Sequence, residues 1–282
     1  MVFQEPFALE QFMDKYEGVI DYNLGETCCY SLSLNELEQL SNKKFETNEL
    51  LDKRMQYTWI RGSEKLRTLI ADFYNENDDI TNNKFTKDDV VITNGAIGAN
   101  FLTLYSLIDT NDHVVVFNPI YQQLNSLPKV FKGEVSEIRL SFNSSTKAWY
   151  SKTELLHAIK CSIKDNTKLI IINNPNNPTG TVFDNDVLNS IINIAETHGI
   201  YILSDEVYRP LFYSIQDFHT PPSSIATLYN KGISTSSTSK VFSFAGIRLG
   251  WIITKSAQLI TDCLAKRDYN MISISLVDDL IA

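Results

Sequence analysis

The residues of this chain best suited to covalent chemistry lie between Ser234 and Gly250, in STSSTSKVFSFAGIRLG. Lys240 follows a run of small hydroxyl residues, and Arg248 stands a little later between Gly246 and Gly250. A neutral lysine amine is a nucleophile toward a carbonyl, whereas hydroxyls and a guanidinium are common receivers of a phosphate. The stretch thus offers an amine for imine formation beside an anion cup. Its plain alternative is a polar loop carrying two surface cations.

Further stretches argue against that alternative. Asn173-Asn174-Pro175-Asn176-Asn177-Pro178-Thr179-Gly180 holds two prolines that pin an extended turn and restrict the residues before them, fixing where Asn177 directs its amide. Asp205-Glu206-Val207-Tyr208 offers an acid and a phenol. Asp205 could merely cap a helix and Tyr208 merely pack; Glu206 is expected to face solvent or to be structural. Asn118-Pro119-Ile120-Tyr121 adds an aromatic ring that can lie on a planar ligand. Small residues in Asn94-Gly95-Ala96-Ile97-Gly98 open a helix, where backbone N–H groups and the helix dipole favour an anion. Taken together, a lysine for an aldehyde, a carboxylate for a ring nitrogen, an amide and a phenol for an oxygen, a flat aromatic and a phosphate cup complement pyridoxal phosphate.

The elements that must position these groups follow from the apolar runs at 90–93, 114–117, 135–140, 169–172, 201–204, 232–236 and 249–254. Short β-branched runs without strict alternation suit strands buried on both faces, and intervening helical patterns supply the crossovers that parallel strands need. The prediction is an α/β fold with a doubly wound, mainly parallel seven-stranded sheet, whose ligand sits outside the carboxyl ends of the strands. The stretches beginning at Asn94, Asn118, Asn173 and Asp205 each directly follow such a run. Leu66, Leu69, Ile70 and Phe73 predict a core-packing helix after Gly62, and Leu34, Leu37 and Leu40 predict another after Ser33. Residues 256–282 read as helical with breaks, an incomplete module.

The composition narrows the partners. With 25 Lys plus Arg against 34 Asp plus Glu, the 282-residue chain has a formal charge of -9, which disfavours nucleic acid or an anionic membrane as a general partner. Cys28, Cys29, Cys161 and Cys263 lack paired metal-ligand spacing, so no metal and reduced thiols are expected. The first residues, MVFQEPFALEQFMDKYEG, show no secretory pattern, and no window approaches the ~18 apolar residues of a membrane span. A soluble, cytoplasmic protein is the expectation.

Through its motifs from Tyr57 to Gly250 the chain resembles the class I/II aminotransferases, fold-type I pyridoxal-phosphate enzymes. The resemblance implies that Lys240 is the Schiff-base lysine, that Asp205 partners the pyridine nitrogen, and that Asn177 and Tyr208 bond the cofactor's phenolic oxygen. It implies a phosphate held by Ser237, Ser239, Arg248 and the backbone of Ala96 and Ile97, with Tyr121 stacked on the ring. Gly25 resembles the glycine beside the substrate carboxylate, and Tyr57 the tyrosine that reaches a neighbouring subunit's phosphate in a homodimer. The implied division is residues 1–45 as arm and part of a small domain, 46–255 as the cofactor-binding large domain, and 256–282 as the start of a truncated small domain. Members normally continue further and there supply an arginine for the substrate's α-carboxylate. Arg61 and Arg267 are weak stand-ins, each expected to be a surface arginine. The implied reaction moves an amino group from an amino acid to a 2-keto acid. A lyase, a cyclising synthase or a non-catalytic cofactor sensor would use the same apparatus.

Overall fold

Each of the seven apolar runs forms a strand, and the strands join in one sheet. The computed structural model of the chain describes residues 4–44, 50–78, 80–212 and 221–282. The strands are β1 (Val90–Asn94), β2 (His113–Asn118), β3 (Glu134–Arg139), β4 (Thr167–Asn173), β5 (Tyr201–Asp205), β6 (Gly232–Ser237) and β7 (Leu249–Thr254). Their spatial order is β1-β7-β6-β5-β4-β2-β3. β2 to β6 pair in parallel, and β7 inserts antiparallel to both β6 and β1.

The helices are α1 (Ala8–Tyr16), α2 (Leu34–Ser41), α3 (Glu64–Asn77), α4 (Gly95–Leu107) and α5 (Gln122–Val130). They continue as α6 (Lys152–Ser162), α7 (Asn185–His198), α8 (Ile225–Leu228), α9 (Ala257–Arg267) and α10 (Leu276–Ile281). Side-chain alternation distributes them over both faces of the sheet. Val114, Val116, Leu169, Ile171 and Leu203 pack with Leu102 of α4, Leu124 of α5 and Leu259 of α9. Val115, Phe117, Ile170, Ile172 and Ile202 turn the other way, onto Leu155 and Ile159 of α6 and Leu188 and Ile191 of α7. Each fully buried Val, Leu or Ile contributes roughly 1.5–3 kcal/mol over its exposed state, so this two-sided core fixes the register of the central strands.

Local signals set the helix ends. Ser63 accepts a hydrogen bond from the Leu66 backbone at 3.2 Å and starts α3, whose Leu66, Ile70 and Tyr74 pack on Val90, Ile92 and Trp251. Ser33 and Glu36 form a reciprocal cap on α2. Asp184 caps α7, which stops at Gly199 in the left-handed region. The last segment folds back onto the start of α3 and the residues before it: Thr58 Oγ1 donates to the Ile274 carbonyl at 3.2 Å, and Ser63 Oγ donates to Asp279 at 2.8 Å. The expected boundary at residues 45–46 lies outside the described residues. Among the described residues no helix is long and apolar enough to cross a membrane.

Candidate functional site

β4, β5 and β6 end side by side, and their last residues form the floor of the site. Asp205 closes β5, in register with Asn173 of β4 and Thr235 of β6. It is 3% exposed. Asn100, from inside α4, donates to Asp205 Oδ2 at 2.8 Å, and the Val207 backbone donates to Oδ1 at 3.1 Å. Burial pushes the Asp205 carboxyl above the usual range, opposed by those two donors and by the Lys240 ammonium. Asn100 is held in turn by Thr235, whose hydroxyl donates to its Oδ1 at 2.6 Å. Neither Asn100 nor Thr235 is picked out by motif. The available signal was an asparagine within the apolar helix sequence ANFLTLYSLI, since a buried amide requires partners.

Lys240 and Tyr208 form the wall above this floor. Lys240 is half-buried, its Nζ 3.1 Å from Cys28 Sγ. The Tyr208 hydroxyl lies 2.7 Å from Thr27 Oγ1 and is also bonded by the Asn177 side chain; burial pushes its phenol up, and these bonds oppose that rise. The Asn177 backbone donates to Asn173 Oδ1 at 2.6 Å, and Thr179 Oγ1 donates to Asn176 Oδ1 at 2.8 Å, so the asparagine-proline turn is braced internally. Thus Asn177, Asp205, Tyr208 and Lys240, distant in sequence, meet at one edge. Thr27 and Cys28 were missed as neighbours, because nothing local ties residues 27–28 to residues 208 and 240.

The anion cup lies at the start of α4. Asn94 precedes this 13-residue helix without a side-chain cap, leaving its first N–H groups, including those of Ala96 and Ile97, without that usual acceptor. Arg248 adopts a left-handed backbone with φ 44° and brings its guanidinium toward them. A Cβ built on Gly95 would sit 2.9 Å from Arg248 Nη2, and one on Gly250 would sit 2.2 Å from the Gly95 carbonyl carbon. These glycines keep the cup open, and Gly95 also takes the left-handed conformation, φ 68°. Arg248 Nη1 is 3.5 Å from Ser239 Oγ, while the Ser239 backbone donates to Ser237 Oγ at 3.2 Å. The uncapped helix start, guanidinium and hydroxyls fit the phosphate of the implied cofactor, and Asp205 fits its ring nitrogen.

The remaining expected residues fall into two groups. Tyr121 precedes α5, half-buried, with its ring 5.2 Å from that of Phe7 and tilted by 52°; burial raises its phenol. Gly25 is exposed in a turn in which its N–H donates to Asn23 Oδ1 at 3.2 Å. Tyr57 is 77% exposed. Arg61 pairs with Asp88 at 3.6 Å and is half-exposed. Arg267 departs from expectation: it is 2% exposed, donates from Nη2 to Asp268 at 2.9 Å, and its Nε and Nη1 have no hydrogen-bond partner among the described residues. It ends α9 on the core side, where a long aliphatic stem can be covered while the adjacent carboxylate meets its charge. Of the two expectations for Glu206, solvent-facing or structural, the structure shows the second: it is buried and accepts from the Ile225 backbone at 2.9 Å.

The aminotransferase class I and II family model matches residues 29–282, and the chain belongs to that family. It is 29% identical over 257 residues to a probable aspartate aminotransferase of Methanocaldococcus jannaschii, covering 88% of this chain and 64% of that protein. It is 30% identical to the aspartate aminotransferase of Pyrococcus horikoshii, covering 86% of this chain and 57% of that one. The chain therefore spans about three-fifths of these two relatives. The crystal structure of a PLP-dependent aminotransferase from Streptococcus suis superposes with a TM-score of 0.87 and 35% identity, over 99% of this chain and 69% of that chain. The sheet and its helices are thus the fold of the fold-type I pyridoxal-phosphate aminotransferases.

Proposed function

We propose that this chain carries the cofactor site of a pyridoxal 5'-phosphate-dependent aminotransferase, which moves an amino group from an amino acid to a 2-keto acid and works as a cytoplasmic homodimer. The observation that carries this reading is the meeting of the buried Asp205 carboxylate with the Lys240 amine beside an uncapped helix start and Arg248. The cofactor, when bound, supplies a carbonyl for covalent attachment and a ring that withdraws electrons. Each remaining task falls to a residue of the chain. Lys240 Nζ offers the attaching amine and, when neutral, takes the proton from the substrate's α-carbon. Asp205 holds a proton on the ring nitrogen through a charge-assisted bond, and Asn100 keeps that carboxylate in place.

Asn177 and Tyr208 orient the phenolic oxygen, and Tyr121 covers the ring. Ser237, Ser239, Arg248 and the N–H groups of Ala96 and Ile97 bind the phosphate, and Gly25 leaves room for the substrate's carboxylate. Tyr57 serves the site of a second copy. Residues 46–255 make up the cofactor-binding unit, with 1–45 and 256–282 belonging to a smaller one. The relatives support transfer over elimination, because the two reported above are aspartate aminotransferases, one of them probable.

The test is reductive trapping. Incubation with pyridoxal phosphate, borohydride reduction and peptide mass mapping should place the cofactor on Lys240. Its attachment to another lysine would overturn the assignment.

A further inference from the structure

None of these roles uses Cys28. Its sulfur lies 3.1 Å from Lys240 Nζ, with both residues half-buried. The contact is braced on either side: Thr27 Oγ1 meets the Tyr208 hydroxyl at 2.7 Å, and the Leu32 backbone donates to the Ser243 carbonyl at 3.0 Å. The segment carrying Cys28 is therefore pinned against the loop carrying Lys240. Cys29 is also half-buried, Cys161 is exposed beside His157, and Cys263 is fully buried. Cys28 is thus the thiol that meets the amine on which the proposed function depends.

We infer that Cys28 is an oxidation site whose product closes onto Lys240 as a reversible sulfur–nitrogen bond. Hydrogen peroxide, or a hydroperoxide of the same class, is the oxidant. Its O–O bond breaks as Cys28 sulfur takes one oxygen to become a sulfenic acid, and the other oxygen leaves as water. The neutral Lys240 amine then attacks that sulfur. The S–N bond forms as the S–O bond breaks, and hydroxide departs with a proton from the amine as a second water. In sum, one thiol, one amine and one hydrogen peroxide give one sulfenamide and two waters; sulfur is oxidised by two electrons and the peroxide is reduced. An incoming thiol reverses the bond by attacking sulfur and releasing the amine, and a second thiol frees Cys28 from the mixed disulfide.

The consequence rests on the reading of Lys240 as the cofactor lysine. An amine committed to sulfur cannot hold the cofactor, and a nitrogen already doubly bonded to the cofactor's carbon cannot close a neutral bond to sulfur. Oxidation therefore locks the cofactor-free chain and spares the loaded one.

The experiment treats the full chain with dilute hydrogen peroxide, with and without saturating pyridoxal phosphate, followed by intact mass and peptide mapping. Without cofactor, the chain should lose two hydrogens and yield a linked peptide joining Cys28 to Lys240. The link should form in Cys29→Ser, be absent in Cys28→Ser, and open with dithiothreitol, which should also restore reductive labelling of Lys240. Pyridoxal phosphate should suppress the link. A Cys28–Cys29 disulfide, a bridge that retains an oxygen, or a stable sulfenic acid beside a still reactive Lys240 would overturn the inference. If the cofactor is trapped on Lys240 and no linked peptide forms, the switch fails and the proposed function stands. If the linked peptide forms despite the cofactor, which is trapped elsewhere, the reading of Lys240 fails while the sulfur–nitrogen bond stands.

Discussion

The strand-end cup and the segment from Leu51 to Ile60 are built on opposite terms. In the cup, Asn100 is fully buried, Asp205 is 3% exposed, and both are hydrogen-bonded by residues more than a hundred positions away. In the other segment Leu51, Met55, Tyr57 and Trp59 are 72, 67, 77 and 76% exposed. Preorganised donors and charges stabilise a ligand without rearranging when it arrives, so a cup of this kind gains from completeness within one chain. A run of exposed large side chains instead offers area to a covering surface. The proposal accordingly gives the ring, the amine and most of the phosphate to the chain's own cup, and Tyr57 to a second copy.

The comparison is broken most severely at Lys240. In Lys240→Ala, covalent incorporation of pyridoxal phosphate and turnover should both disappear. The melting temperature of the cofactor-free chain should change little, because the lysine is half-buried and, among the described residues, its side chain makes a single hydrogen bond, to Cys28. Borohydride trapping and thermal unfolding check the two halves separately. Residual covalent incorporation would move the amine elsewhere.

Asp205→Asn probes the cup more gently. The cofactor should remain bound while turnover falls by about one to two decades, if a charge-assisted bond worth ~1.5–3 kcal/mol is fully expressed in the transition state. Cofactor absorbance at saturation, measured beside the rate, separates lost binding from lost chemistry. Unchanged turnover would leave Asp205 as a turn-capping acid.

How much of this cup was legible beforehand follows from where each residue's partners lie. Lys240, Asp205 and Asn177 lie just after apolar runs, so recognising the strands also placed these residues at one edge. Asn100 was hidden because its role is defined by Asp205 and Thr235, far along the chain. The insertion of β7 between β1 and β6 was hidden for a similar reason: LGWIIT reads as a strand, but its neighbours are set by long-range pairing. Arg267 misled because charge commonly marks surface, whereas its stem is buried at the end of α9. Tyr57 is the converse case, since exposure within one chain neither supports nor opposes its reading.

Subunit mixing would sharpen the contrast between own-chain and partner-chain residues. If Tyr57 donates to a partner's phosphate, Tyr57→Phe damages the neighbour's site, whereas Lys240→Ala damages its own. Hybrid dimers then gather both lesions in one site and leave the other intact, so activity should rise above either parent. At equal mixing, random pairing makes about half of the dimers hybrids with one intact site each, so recovery should approach about a quarter of the wild-type rate. Confirmed exchange without recovery, given an impaired Tyr57→Phe parent, would return Tyr57 to its own subunit.

The smallest expected effect tests the completeness of the cup itself, through the acid dependence of the cofactor-free chain. Burial raises the Asp205 carboxyl above its ordinary 3.8, against the pull of Asn100, the Val207 N–H and Lys240. A raised folded value means that the native chain holds the proton more tightly than the unfolded one. The resulting stability is fully present below the unfolded value and is lost as pH rises through the folded one. Asp205→Asn removes that titration, so its melting temperature should fall less steeply across this window. Glu206, also raised by burial, remains in both chains and cancels in the difference. The variant should carry a constant offset, because one amide oxygen cannot accept both bonds that Oδ1 and Oδ2 now receive, a loss of about 1 kcal/mol. Saturating pyridoxal phosphate should flatten the wild-type curve toward the variant's, since a protonated ring nitrogen opposite the carboxylate favours its charged form. Parallel curves without cofactor would mean that the two N–H donors and Lys240 already offset burial, leaving Asp205 to titrate as it does in the unfolded chain.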